Sequence, residues 1–206
     1  MTRMARVPPA PLTAERAEAL RPYRLPDGTT IPIFAVLAHS PAALGDLRRA
    51  TRACLAETEL PLRYREIVIL RVCALTGAEP EWAVHAGLFA GEAELGPREL
   101  AATLVPAAGS ACWTPVETLL LQAVEQLCEQ LTIDDDLWPR LSAVMPPRQL
   151  IELLTMSAQY HKVAMLTNAL RLPVPEGLPR FRDHPHAEVR NDEENVDGHA
   201  CPREHQ

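Results

Sequence analysis

Lysine is nearly missing from this chain. Lys162 is the only one, so arginine carries almost all of the 20 basic charges, against 27 acidic residues and a formal charge of −7. No basic cluster is long enough to track a phosphate backbone, and nucleic acid is not expected as a partner. Long apolar runs are missing too. No segment reaches the roughly 18–20 residues that span a bilayer, so no membrane partner is expected. The opening MTRMARVPPAPLTAERAEAL has no apolar stretch of the kind a secretory signal carries. The five cysteines, at 54, 73, 112, 128 and 201, are odd in number and form no CxxC. That usage fits reduced thiols rather than a disulfide framework, and the expected location is cytoplasmic. No internal repeat is present, and no run alternates cleanly at period two. Strands are therefore not expected.

What remains is helical. Hydrophobic residues make up 47 % of 206 residues, enough for one domain with a substantial core. Residues 1–28 read as an N-terminal arm, with a short helical piece from Thr13 to Leu20 and a turn at Pro26-Asp27-Gly28. The run IPIFAVLAH follows, then Ser40-Pro41, an N-cap and first-position pair that opens a helix. LPLRYREIVILRVCALTG is apolar on nearly every side, which places it centrally as a helix stopped by Gly77. Period alone leaves a buried strand open for that segment.

Pro80 begins the next helix, expected to run to about Ala93. Thr114 with Glu117 forms a capping box for a helix to Leu131. A short helix after Asp136 precedes a long one over about 147–170. The composition then turns polar, and 176–206 reads as a mobile tail or an arm lying on a neighbour. The tail residues His184, His186, His199, His205 and Cys201 read as solvated. The fold class is all-α.

Chemistry points to GAEPEWAVHAG. Glu81 and His85 are four residues apart and share a helix face. An imidazole hydrogen-bonded to a carboxylate is held in one orientation and can exchange a proton near neutral pH. Glu66, on the preceding helix, is a second carboxylate able to relay that proton. The plainer alternative is an ordinary intrahelical Glu–His pair. As a metal half-site ExxxH supplies two ligands where zinc takes three or four, and no metal is expected. Cys73 reads as a small core residue. Trp82 and Tyr160 are candidates for a pocket wall or for the core.

Residues 60–96, LPLRYREIVILRVCALTGAEPEWAVHAGLFAGEAELG, resemble the carboxymuconolactone decarboxylase family, which includes the AhpD-type alkylhydroperoxidases. The resemblance rests on Leu60-Pro61-Leu62, Arg65-Glu66, Ile69-Leu70-Arg71, and Glu81-Trp82 with His85. IPIFAVLAHSP and the closing LIELLTMSAQYHKVAMLTNALRLPVP extend it over 29–175. It implies an all-helical, AhpD-like subunit that assembles into a homo-oligomer, a trimer or hexamer. The peroxidase members carry a CxxC with a histidine four residues on and a glutamate on the preceding helix. The glutamate and histidine fall on Glu66 and His85, but the cysteine positions hold Ala78 and Glu81. With no thiol to attack a peroxide or resolve the adduct, thiol peroxidase activity is not expected.

The decarboxylase-type members imply cofactor-independent proton transfer on a small carboxylated or enolisable substrate. On that reading His85 is the acid/base, Glu81 orients it and Glu66 relays or positions. Arg71 would hold a carboxylate or enolate oxygen, a role inferred from charge, and Trp82, His39 and Tyr160 would line the pocket. The competing reading is a non-catalytic helical oligomer with a binding or scaffolding role.

Overall fold

The computed structural model describes residues 5–184, and the tail residues His186, His199, His205 and Cys201 lie outside them. The elements are α1 (Ala14–Leu20), α2 (Pro32–Leu37), α3 (Pro41–Ala56), α4 (Leu62–Leu75), α5 (Glu79–Leu88), α6 (Pro97–Ala102), α7 (Pro115–Gln130), α8 (Leu137–Ser142) and α9 (Pro147–Leu170). Among the described residues there is no strand; an isolated bridge, Arg24 with Thr30, is the nearest approach to one. No helix among them is long and apolar enough to cross a membrane.

Helix α4 is the axis of the fold, packing against α5, α7 and α9. Every residue from Arg65 to Cys73 is buried, which explains why its hydrophobic pattern has no preferred side. Ile67, Val68, Ile69 and Leu70 are each fully buried, contributing roughly 1.5–3 kcal/mol apiece in transfer free energy. The helix stops at Gly77, whose φ of 66° lies in the left-handed region that glycine enters without strain.

The caps read from the sequence are present. Ser40 Oγ accepts from the Ala43 N–H at the start of α3. At α7, Thr114 Oγ1 accepts from the Glu117 N–H, while Glu117 Oε2 accepts from the Thr114 N–H at 2.8 Å. Glu117 also accepts from Arg63 Nε at 2.6 Å, tying the start of α7 to α4.

Helix α5 is shorter than expected and ends at Leu88 rather than near Ala93. Turns follow, with Glu94 at a φ of 54° and the Leu95 N–H donating back to Ala90.

Two hydrophobic clusters result. The larger gathers α4, α5, α7 and α9, and the smaller sets Leu20, Ile33 and Phe34 against Leu47 and Val163. The N-terminal arm packs along the domain: the Arg6 N–H donates to Leu170 and the Ala10 N–H to Ala35. The first part of the expected tail is docked on this same chain. Phe181 sits edge-on to Trp82, its N–H donates to Glu79, and a Cβ on Gly87 would come within 2.7 Å of Leu178. Residues 176–184 therefore belong with the body of the fold.

Candidate active site

Four side chains form a hydrogen-bonded line across α4, α5 and α9. Arg65 Nε donates to Glu66 Oε1 at 2.7 Å. Glu66 Oε2 lies 2.8 Å from His85 Nδ1, and His85 Nε2 lies 3.0 Å from the Tyr160 hydroxyl. An ionised carboxylate only accepts, so the proton on this edge belongs to Nδ1. With the ring proton on Nδ1, Nε2 is the acceptor and the Tyr160 O–H donates to it. Glu66 is fully buried, and His85 and Tyr160 are nearly so.

The electrostatics divide the two glutamates. Burial pushes the Glu66 carboxyl up, but His85 and Arg65, by charge and hydrogen bond, outweigh it and hold it below its ordinary value. Burial also pushes Glu81 up, and there it wins over His85 and a long hydrogen bond from Thr167. Two carboxyls beside one histidine are thus driven in opposite directions, a pattern that separates acid from base in proton-transfer sites. The Tyr160 hydroxyl is raised well above its ordinary value by burial and by the nearby Glu66 charge, so it stays a phenol.

A cavity of about 180 Å³ opens at the seam between the two hydrophobic clusters. Glu81, His85 and Tyr160 line it together with apolar side chains such as Ile33, Phe34, Leu47, Leu55 and Val84. Its volume is of the order of engineered cavities that bind benzene. No cysteine lines it. The thiols of Cys54 and Cys128 are pushed by burial to about 11, and burial pushes that of Cys73 well above its ordinary value too. Among the described residues no group of three or more His, Cys, Asp and Glu side chains is placed to hold a metal.

The expected residues divide accordingly. Glu66, Glu81, His85 and Tyr160 converge, although the orienting partner of His85 is Glu66 rather than Glu81. Arg71 does not reach the cavity: it is buried, donating to the Thr103 carbonyl at 2.9 Å and to Glu125 at 2.6 Å. Trp82 is fully buried and does not line the cavity, its indole N–H donating to Thr103 Oγ1. His39 lies at the surface with Nε2 against the Pro8 carbonyl. Several lining residues were missed, the polar Arg24 and Gln159 among them. Only the adjacency of Gln159 to Tyr160 hinted at either.

These features define an all-α, AhpD-like fold that carries a buried Glu–His–Tyr line. Three solved structures share the fold. One, described as the alkylhydroperoxidase AhpD core of an uncharacterised peroxidase-related protein from Ralstonia eutropha, is 15 % identical over 84 % of this chain and 93 % of its own, with a TM-score of 0.73. An uncharacterised peroxidase-related protein from Silicibacter sp. is 11 % identical over 81 % and 88 %, with a TM-score of 0.71. An Agrobacterium tumefaciens protein of unknown function, provisionally assigned to AhpD antioxidant defence, is 16 % identical over 68 % and 94 %, with a TM-score of 0.63. At these identities the likeness is one of fold. No curated protein matches significantly. Residues 40–126 match the sequence profile of the carboxymuconolactone decarboxylase family. The profile match over residues 40–126 and the shared fold both support the carboxymuconolactone decarboxylase/AhpD-like family as the one this chain resembles.

Proposed function

We propose that this protein is a cofactor-independent enzyme of the decarboxylase type that moves a proton to or from carbon in a small carboxylated or enolisable substrate. One observation carries the reading: His85 is held between Glu66 and Tyr160, and the histidine and tyrosine both face the cavity. Loss of CO2 from a carboxylate conjugated to a carbonyl, or removal of a proton beside one, leaves an enolate. A catalyst must stabilise that charge and manage the proton.

The parts present suit both tasks. His85 Nε2 takes the Tyr160 proton as Tyr160 takes one from substrate, or returns it in the opposite direction. The imidazolium formed is stabilised by Glu66, whose charge Arg65 balances on its other oxygen. Glu81, driven toward its neutral form, offers an O–H to a developing enolate oxygen. The same parts serve decarboxylation, isomerisation or dehydration through an enolate, because the pocket selects the substrate. The natural unit on this reading is a homo-oligomer, trimeric or hexameric, in the cytoplasm.

The test is a metabolite screen. Cell extract is incubated with wild-type protein and with His85→Gln, and small acids are followed by mass spectrometry. A metabolite consumed by the wild type and spared by the variant supports the assignment. Equal consumption by both removes His85 from the mechanism.

A further inference from the structure

Arg24 stands on the cavity wall in a segment outside the family match, and its position is built rather than incidental. It pairs with Thr30 across a tight hairpin, in which the Leu25 N–H donates to Thr29 at 2.8 Å and the Gly28 N–H to Leu25 at 2.9 Å. The Asp27 carboxylate is engaged within the turn by the Thr29 N–H and hydroxyl, at 2.8 and 2.7 Å. Next to Arg24, Tyr23 stacks on Phe34 with ring centroids 3.8 Å apart, and both rings line the cavity.

The buried arginines of the central helix are already committed. Arg65 serves Glu66 and the Leu55 carbonyl, and Arg71 serves Glu125 and the Thr103 carbonyl. Among the described residues Arg24 is the only arginine or lysine lining the cavity, and it forms no ion pair with a carboxylate there. It is exposed, whereas His85 and Tyr160 are buried. The cavity therefore has a cationic rim, an apolar body and a proton-transfer line within.

We propose that Arg24 is the anion anchor of this cavity, and that the ligand it selects is a small amphiphilic monocarboxylate. Its carboxylate sits at the rim and its apolar body, about the size of one ring, sits inside. A second carboxylate would be buried without a cation, which is strongly unfavourable. Rim and interior then address different parts of one molecule. The inference rests on the cavity being the substrate site proposed above, and it moves the carboxylate contact from Arg71 to Arg24.

The experiment compares phenylacetate with its uncharged analogue phenylacetamide, by calorimetric titration of the full-length protein, its Arg24→Gln and Arg24→Lys variants, and His85→Gln. Wild type should prefer phenylacetate by about tenfold, the worth of one charged hydrogen-bonded contact. Arg24→Gln should abolish that preference while leaving phenylacetamide affinity unchanged, and Arg24→Lys should retain most of it. Equal binding of the two probes by wild type, a preference that survives Arg24→Gln, or no binding of either probe overturns the proposal. Binding is read without turnover. Arg24-dependent binding in a protein whose His85→Gln variant consumes the same metabolites would reject the catalytic reading and leave the anchor standing.

Discussion

His85 Nε2 and the Tyr160 hydroxyl meet at 3.0 Å although 75 positions separate them in the chain. The contact joins α5 to α9 and turns a Glu–His pair into a three-membered line ending at the cavity. Its consequence is that the basic nitrogen of His85 is already occupied before any ligand arrives. Tyr160 is the group through which His85 addresses substrate.

Replacing Tyr160 by Phe removes the hydroxyl and keeps the ring. Turnover should fall at least about tenfold, the equivalent of one lost hydrogen bond. Affinity for phenylacetate should change little, because the ring still lines the cavity. Steady-state rates beside calorimetric titration separate the two effects.

Arg71 is expected to matter for stability and not for substrate. Arg71→Met leaves Glu125 without its cation and the Thr103 carbonyl without its donor. Breaking such a pair costs about 3–5 kcal/mol when both partners are buried, and Glu125 is partly exposed, so the lower end is expected. Denaturant unfolding should show the loss, while KM of the folded fraction stays near wild type.

Glu81 gives a pH signature. Its carboxyl is raised in the folded protein, so the folded state binds a proton more tightly than the unfolded chain does. The stability this contributes is fully present below the ordinary glutamate value of 4.5 and is lost as pH rises through the raised folded value. Glu81→Gln has no such loss. The stability difference between variant and wild type should therefore move in the variant's favour as pH climbs from about 4.5, read from urea midpoints across that range. Parallel midpoint curves would mean that the folded and unfolded states hold the Glu81 proton equally, with no upward shift on folding.

Thiol chemistry should be dispensable. Burial raises the Cys54 and Cys128 thiols to about 11 and the Cys73 thiol well above its ordinary value, and none of the three lines the cavity. Alkylation with iodoacetamide at neutral pH is expected to leave turnover unchanged. A proportionate loss would restore a role for sulfur.

How much of this was legible depends on chain distance. The Ser40 cap, the Thr114–Glu117 box and the buried α4 are local patterns, and each is present. Glu66 was legible as a second carboxylate near His85 because the two lie on successive helices joined by a short turn at Gly77, but Glu81 was read as the orienting partner that Glu66 is. Arg71 was misplaced because its charge is visible in the sequence while its partner, Glu125, lies 54 positions away on α7. Trp82 was misplaced because Trp82 and Glu81 are neighbours in sequence, yet adjacent helical positions point about 100° apart. Arg24 was invisible for a different reason. The hairpin that carries it folds back over α3 and α9, and no spacing in the arm records that return.

Proton transfer to or from carbon is the central claim, and solvent deuterium incorporation measures it directly. Once the metabolite screen supplies a substrate, the reaction is run in D2O with wild type and with His85→Gln, and deuterium at the reacting carbon is followed by NMR. The account predicts incorporation by the wild type and a rate lower by about 10²–10⁴-fold in the variant, the usual worth of a positioned general acid/base. Incorporation at an undiminished rate by His85→Gln, in a variant that is folded by circular dichroism, would contradict it.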